Sequence, residues 1–264
     1  MFNLIAVHIM WIIRDRIFQA LIGVSVLLIM LVPVMSAFSM RQSQELATTL
    51  SLSFISFTQM IYAVLLGSTL IWRDIERRYT YSVTSLPISR DEYIIAKFLA
   101  ISVFIWCSSL FIGLCGAVAI KLGAMQYISM NPIQWGPILL ALLMTALKCN
   151  ILTALALLVS TVSTSFFMPF FTSIAIYLAG SASQEVYEYI VSDYGKKFSE
   201  VSRLLVMTVY YVIPNFGAFD YTLQAVYPIQ LDIQGVVLTV LYGIVYCVIA
   251  IALSVIVFSK RELI

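Results

Sequence analysis

The side chains best equipped for recognition chemistry lie between two long apolar runs. They form Arg73-Asp74-Ile75-Glu76-Arg77-Arg78-Tyr79-Thr80-Tyr81, followed by Leu86-Pro87-Ile88-Ser89-Arg90-Asp91-Glu92. Arg73, Arg77 and Arg78 can each grip a carboxylate through two parallel hydrogen bonds, and Tyr79 and Tyr81 are aromatic anchors of the kind concentrated at protein interfaces. Pro87 disfavours helix at Leu86, which gives the segment a stop before the next apolar run. So much charge cannot be submerged in lipid, so the segment is expected to meet water and a soluble partner there. A solvated loop held on one side by its positive charge is the alternative, but it explains the Arg residues and not the interspersed acids and the aromatic pair.

A second candidate stands alone. Lys148 and Asn150 fall near the middle of an apolar run, where insertion of a lysine costs roughly 2.5 to 3.5 kcal/mol. Either they face a cavity and meet an anionic or polar substrate group, or the span is shifted and Lys148 snorkels or caps backbone carbonyls.

Other chemistries are poorly supplied. His8 is the only histidine, which removes the commonest ligand for haem, copper or zinc from almost the whole chain. Cys107, Cys115, Cys149 and Cys247 lie within apolar runs without CxxC spacing, so packing explains them better than zinc or a disulfide framework. Met30, Met35, Met60, Met144 and Met168 are scattered singly, as core filling requires and a Cu(I) site does not. There is no GxxxxGK[ST] to cradle nucleotide phosphates. A net charge of +2, without basic runs interleaved with exposed aromatics, argues against nucleic acid.

The elements that must position these residues follow from composition. With 62% hydrophobic and 11% charged residues, the chain reads as an integral membrane protein. Met1–Ile13 lacks the charged start and small-residue cleavage site of a secretory signal, so it is expected to remain in the mature protein. Thirteen helical residues reach only about 20 Å, short of a hydrocarbon core of roughly 30 Å. Residues 1–16 are therefore expected to lie in the membrane interface, a buried packing helix being the alternative.

Six spans are expected: Ile17–Phe38, Leu50–Trp72, Ala96–Ile120, Gly136–Val159, Phe166–Ser183 and Gly235–Phe258. Helices satisfy their own backbone in lipid, and the alternating strands of a membrane barrel are missing, so the class is all-α. With both ends cytoplasmic, nine Lys and Arg fall inside against five outside, which favours that orientation. Residues 73–95 are then the first inner loop. Residues 184–234 form a long outer connection holding a re-entrant or interfacial helix, Leu204–Ile213, with Tyr210, Tyr211, Phe216, Phe219 and Tyr221 as an aromatic belt. Ser160–Ser165 suits a tight inner turn, and the whole of 1–264 reads as one permease domain.

This order of parts resembles the ABC-2-type permeases of ATP-binding-cassette transporters: a surface helix ending in Arg14-Asp15-Arg16-Ile17-Phe18, six spans, a charged first inner loop and a basic end at Ser259-Lys260-Arg261-Glu262. The sharpest likeness is Glu76, Thr80, Leu86, Pro87, Ile88, Ser89, Arg90 and Lys97, with Tyr79 standing where the family commonly has Gly. Tyr210-Tyr211-Val212-Ile213-Pro214-Asn215-Phe216 resembles a segment of the branch associated with maturation of multicopper enzymes and nitrous oxide reductase.

The resemblance implies that Ile75–Ser85 forms a coupling helix docking on a cytoplasmic ATPase subunit. Arg73, Asp74, Glu76, Arg77, Arg78, Tyr79, Thr80, Tyr81, Pro87 and Arg90 would be the contact residues. It further implies two ATPase copies that bind ATP and Mg, no cofactor in this chain, a second permease chain as homodimer or heterodimer, and alternating access in the bacterial cytoplasmic membrane, more in export than import. Membrane lipids surround the spans, and the outer acids Glu185, Glu188, Asp193 and Glu200 either dock an outer accessory protein or belong to a solvated outer helix. An anchor that merely recruits an ATPase is the second expectation. A third, an intramembrane lipid-modifying enzyme, would need His, Asp or Glu at membrane depth, and the spans hold none.

Overall fold

In the computed structural model the described residues are 2–39, 42–76, 89–126, 132–192, 199–227 and 229–260. Among them the protein is helical without strands. The elements are α1 (Phe2–Arg14), α2 (Arg16–Met30), α3 (Val32–Ala37), α4 (Ser43–Glu76), α5 (Arg90–Ala124), α6 (Trp135–Val162), α7 (Phe167–Val191), α8 (Glu200–Val212), a 3-10 turn at Gly217–Phe219, α9 (Thr222–Val226) and α10 (Ile233–Lys260).

Local sequence sets the boundaries. Asp15 is the N-cap of α2, its carboxylate accepting from the Ile17 amide at 3.0 Å, so the polar step Arg14-Asp15-Arg16 separates the short first helix from the first span. That span is two helices rather than one. Pro33 has no N–H to give and crowds the preceding turn, so the helix breaks at Leu31 and restarts with Pro33 in its first turn. Ser89 caps α5 by accepting from the Glu92 amide at 3.2 Å, and Asp91 and Glu92 favour the positive end of the helix dipole. The helix thus begins at Arg90, so residues 90–95, expected as loop, are its first turns.

Five helical stretches are long and apolar enough to cross a membrane: Arg16–Ala37, Ser43–Asp74, Arg90–Ala124, Trp135–Val162 and Ile233–Lys260. Helix α7 is not apolar enough to join them, although its 25 residues reach about 38 Å, a sufficient length. Both α4 and α5 reach roughly 50 Å and extend well past a 30 Å core. The turn between α6 and α7 is as tight as expected: Ser163 Oγ accepts from the Ser165 amide at 3.1 Å, and Ser165 Oγ from the Phe167 amide at 3.2 Å.

Helix α6 is the hub. Of its apolar window 67% is buried, against 22% for α10 and for the first span. It packs on α4, α5, α7 and α10. Gly67 of α4 makes the tightest of these approaches possible, since a Cβ there would lie 2.4 Å from Ala156 Cβ of α6. Helix α1 lies against α5 with Ile12 fully buried, while Val7, Met10 and Ile13 are exposed.

The connection 184–234 departs from expectation in that α7 runs on to Val191, past the expected end of the fifth span at Ser183, and in two of its aromatic residues. Phe216 and Phe219 are 1% and 0% exposed, so they are core residues and not members of a surface belt. The Phe216 amide donates to Gly180 O at 3.0 Å, and a Cβ on Gly180 would sit 2.5 Å from Pro214 O. The missing side chain lets Pro214-Asn215-Phe216 lie directly on α7, from where α9 returns to pack on α4 and α6.

Candidate coupling site at the charged end of the bundle

Helices α4 and α5 converge where α4 ends at Glu76 and α5 begins at Arg90. Tyr93 and Lys97 are one turn apart on α5 and so share a face, which meets the last turn of α4. Lys97 is 0% exposed. Its ammonium donates to Asp74 Oδ2 and, at 2.6 Å, to Leu70 O, and it lies 4.6 Å from the centre of the Tyr93 ring. The Tyr93 hydroxyl donates to the same Asp74 oxygen. One carboxylate therefore gathers a buried cation and a phenol, and the cation also takes a carbonyl near the negative end of the α4 dipole. A charge so desolvated is tolerable only because its partners are all in place.

Further contacts tie neighbouring helices to this knot. Arg73, one residue before Asp74, donates to Asp15 Oδ2 at 2.8 Å, and its guanidinium lies 4.4 Å from the centre of the Trp11 ring. Asp15 thus caps α2 and binds α4 with one side chain. The Tyr93 ring stacks on Phe258 of α10 with centroids 5.9 Å apart, and Arg90 donates to Ser259 O at 3.1 Å. From α1, His8 meets Tyr93 edge to face at 6.1 Å. Burial first, then the Lys97 charge, lowers the His8 pKa to about 4 against a partial opposing pull from Asp74, so the ring is neutral near pH 7.

Of the expected contact residues, Arg73, Asp74 and Arg90 are drawn into this end of the bundle. Asp74 and Arg73 bond within the chain and hold helices together, Asp74 to Lys97 and Tyr93 and Arg73 to Asp15. Glu76 is exposed at the last residue of α4. Arg77, Arg78, Tyr79, Thr80, Tyr81 and Pro87 lie outside the described residues, as does most of the expected coupling helix Ile75–Ser85.

Lys148 and Asn150 are both on α6 and both buried, at 7% and 3% exposure, but they do not form one site. Two residues on a helix are about 200° apart, so they face opposite ways. Lys148 points between α4 and α7, with Nζ 3.4 Å from Ser56 Oγ and 5.4 Å from the Tyr177 ring centre. Asn150 donates to Ala146 O at 2.9 Å and borders a cavity of about 600 Å³ between α5, α6 and α10, lined also by Phe98, Trp106 and Val240.

Sequence reasoning missed Tyr93, Lys97, Asp15 and His8 as one assembly. Lys97 was visible only as a topology-setting cation and a family match. The available signal was the i, i+4 pair Tyr93 and Lys97 on an otherwise apolar helix, with an acid closing the preceding one.

Among the described residues no group of three His, Cys, Asp or Glu side chains is placed to hold a metal ion. No curated protein matches the sequence. Residues 9–263, nearly the whole chain, match the profile described as ABC-2 family transporter protein, and the chain belongs to that family.

Proposed function

We propose that this ABC-2 membrane subunit is the permease of an exporter driven by ATP hydrolysis in separate ATPase subunits that dock on the 73–95 segment. The observation carrying this reading is the Asp74–Lys97–Tyr93 knot. Both helices that flank residues 77–88 are locked together immediately behind that segment. A push on it is delivered to α4 and α5 as a unit, and both pack on the central α6. Arg73–Asp15 and Tyr93–Phe258 extend the same unit to α2 and α10. A packed bundle so tied responds to ATPase closure by switching between two arrangements, which is alternating access.

In this proposal both ends of the chain face the cytoplasm of a bacterium, in its inner membrane. Helix α7 supplies the sixth span. Two permease chains, most simply identical, meet two ATPase copies, which hold ATP and Mg. Residues 184–234 face outward, where an accessory protein can dock. Tyr210–Phe216 supports placement near the multicopper-enzyme and nitrous oxide reductase maturation branch. Lys148 offers an anionic or polar cargo group a cation buried beside Ser56 and Tyr177, and Asn150 contributes separately from the opposite side of α6.

The test is vectorial transport. The chain co-purified with its ATPase and placed in proteoliposomes is expected to move bound native cargo in an ATP-dependent way. A complex that hydrolyses ATP but moves nothing is an anchor. Lys148→Met should keep the fold and lower both cargo movement and ATPase stimulation; unchanged export removes Lys148 from the pathway.

A further inference from the structure

At the end of the bundle away from the Asp74 knot, α8 and α10 border an open cleft of about 400 Å³ whose lining includes Tyr210, Tyr211, Tyr242 and Tyr246, with Asn215 and Thr239. The rings are mutually inclined: Tyr210 and Tyr211 meet at 75° with centroids 5.5 Å apart, and Tyr242 and Tyr246 at 52° and 4.7 Å. These two pairs form inclined walls, and Tyr210 is backed by Tyr187, stacked on it with centroids 4.2 Å apart at 16°. Tyr211 is 70% exposed and stands at the rim.

Several polar groups of the box are already engaged. The Tyr242 hydroxyl accepts from the Asn215 amide at 2.9 Å and also interacts with Tyr246. Asn215 Nδ2 donates to Gln184 Oε1 at 2.7 Å, its Oδ1 accepts from the Ala218 amide at 3.3 Å, and Thr239 donates to Gly235 O at 2.9 Å. The Tyr210 hydroxyl donates to the same Gln184 oxygen at 3.2 Å, while Gln184 Nε2 donates to Glu188 at 2.6 Å. A carboxylate therefore stands one residue behind the box, polarising the chain of hydrogen bonds that ends on Tyr210.

What remains unclaimed is aromatic surface with negative potential. An ordinary ammonium is held best by carboxylates or carbonyls, and a sugar by a dense set of donors and acceptors; among the described residues this lining presents no carboxylate and mainly phenol rings. An alkylated ammonium needs no hydrogen bond and is held by the faces of electron-rich rings. We propose that this tyrosine box is a binding site for a quaternary ammonium group, either the headgroup of a choline-type lipid or a free alkylated ammonium compound. It stands independently of the coupling proposal, since it uses no residue of that site.

The test uses the full chain purified in a maltoside detergent, which carries no ammonium group. Tetramethylammonium chloride is titrated against tyrosine fluorescence, beside ammonium chloride and 3,3-dimethylbutan-1-ol, the uncharged carbon counterpart of choline. Tetramethylammonium is expected to bind at least tenfold more tightly than either control. Tyr246→Leu and Tyr211→Leu should each weaken it by roughly tenfold, while Tyr246→Phe, which keeps the ring, stays within about threefold. Tyr211 is exposed enough for its replacement to leave folding intact.

Equal binding of the uncharged counterpart, or unchanged binding in both Leu variants, overturns the proposal. Nanodiscs separate the two sources. Displacement of tetramethylammonium by phosphatidylcholine but not by phosphatidylglycerol identifies the lipid headgroup. Persistence in both identifies a free compound.

Discussion

Replacing Lys97 by Met tests whether the charged end of the bundle is held as one unit. Lys97 has 0% exposure, and its loss strands the Asp74 carboxylate, whose side chain is 21% exposed. Removing one partner of a buried pair costs about 3–5 kcal/mol. Asp74 keeps the Tyr93 hydroxyl and some water, which places Lys97→Met near the lower end, about 3 kcal/mol. Asp74→Asn leaves an ammonium with no exposure facing only Leu70 O and a neutral amide, at about 4 kcal/mol. The double variant strands no charge and should cost only about 1 kcal/mol, so the two effects fall far short of adding. With an unfolding entropy near 2.1 cal/mol/K per residue, 3 kcal/mol over 264 residues lowers Tm by about 5 °C. Thermal melts in detergent, read by intrinsic fluorescence, measure all four corners of the cycle. Additive single effects, or a Lys97→Met melt within about 1 °C of the parent, would refute the reasoning.

Other expectations follow from the same contacts. Because the folded state holds His8 at a pKa of about 4 against 6.5, the unfolded chain takes the proton first on acidification. Stability present above pH 6.5 is thus lost progressively down to pH 4, by about 3 kcal/mol, and His8→Phe should flatten that part of the Tm–pH curve. Gly67→Ala drives a methyl to within 2.4 Å of Ala156 Cβ and should cost about 1–3 kcal/mol; Gly67→Ala with Ala156→Gly returns the space and should regain most of it in the same melts. Gly180→Ala collides with Pro214 O and should raise amide hydrogen exchange across residues 214–219 while leaving α4 and α5 protected.

The sequence announces the helices through composition and run length, because lipid imposes a severe and legible rule on any backbone that crosses it. The position of the charged segment between two spans, the tight serine turn after α6 and the short first helix are all readable in that way. Boundaries were less so. The Ser89–Glu92 capping box reads as loop when charge alone is followed, although its S-x-x-E spacing marks a helix start. The site was half legible. Charge density picks out Arg73 and Asp74, but an arginine that grips a partner and one that grips Asp15 look alike until the fold supplies the second residue. Phe216 and Phe219 show the same limit, since an aromatic residue between polar neighbours reads as an interface anchor unless Gly180 is known to open a seat for it.

The most direct measurement of the coupling claim is site-specific photo-crosslinking from the 77–88 segment, with a photoreactive residue at Thr80 and a control at Tyr211, in cells expressing the chain with its ATPase. The account predicts an adduct between position 80 and the ATPase subunit, none from Tyr211, and protection of position 80 from impermeant reagents applied outside the cell. Labelling of position 80 from outside, or an adduct with the ATPase from Tyr211 alone, would contradict it.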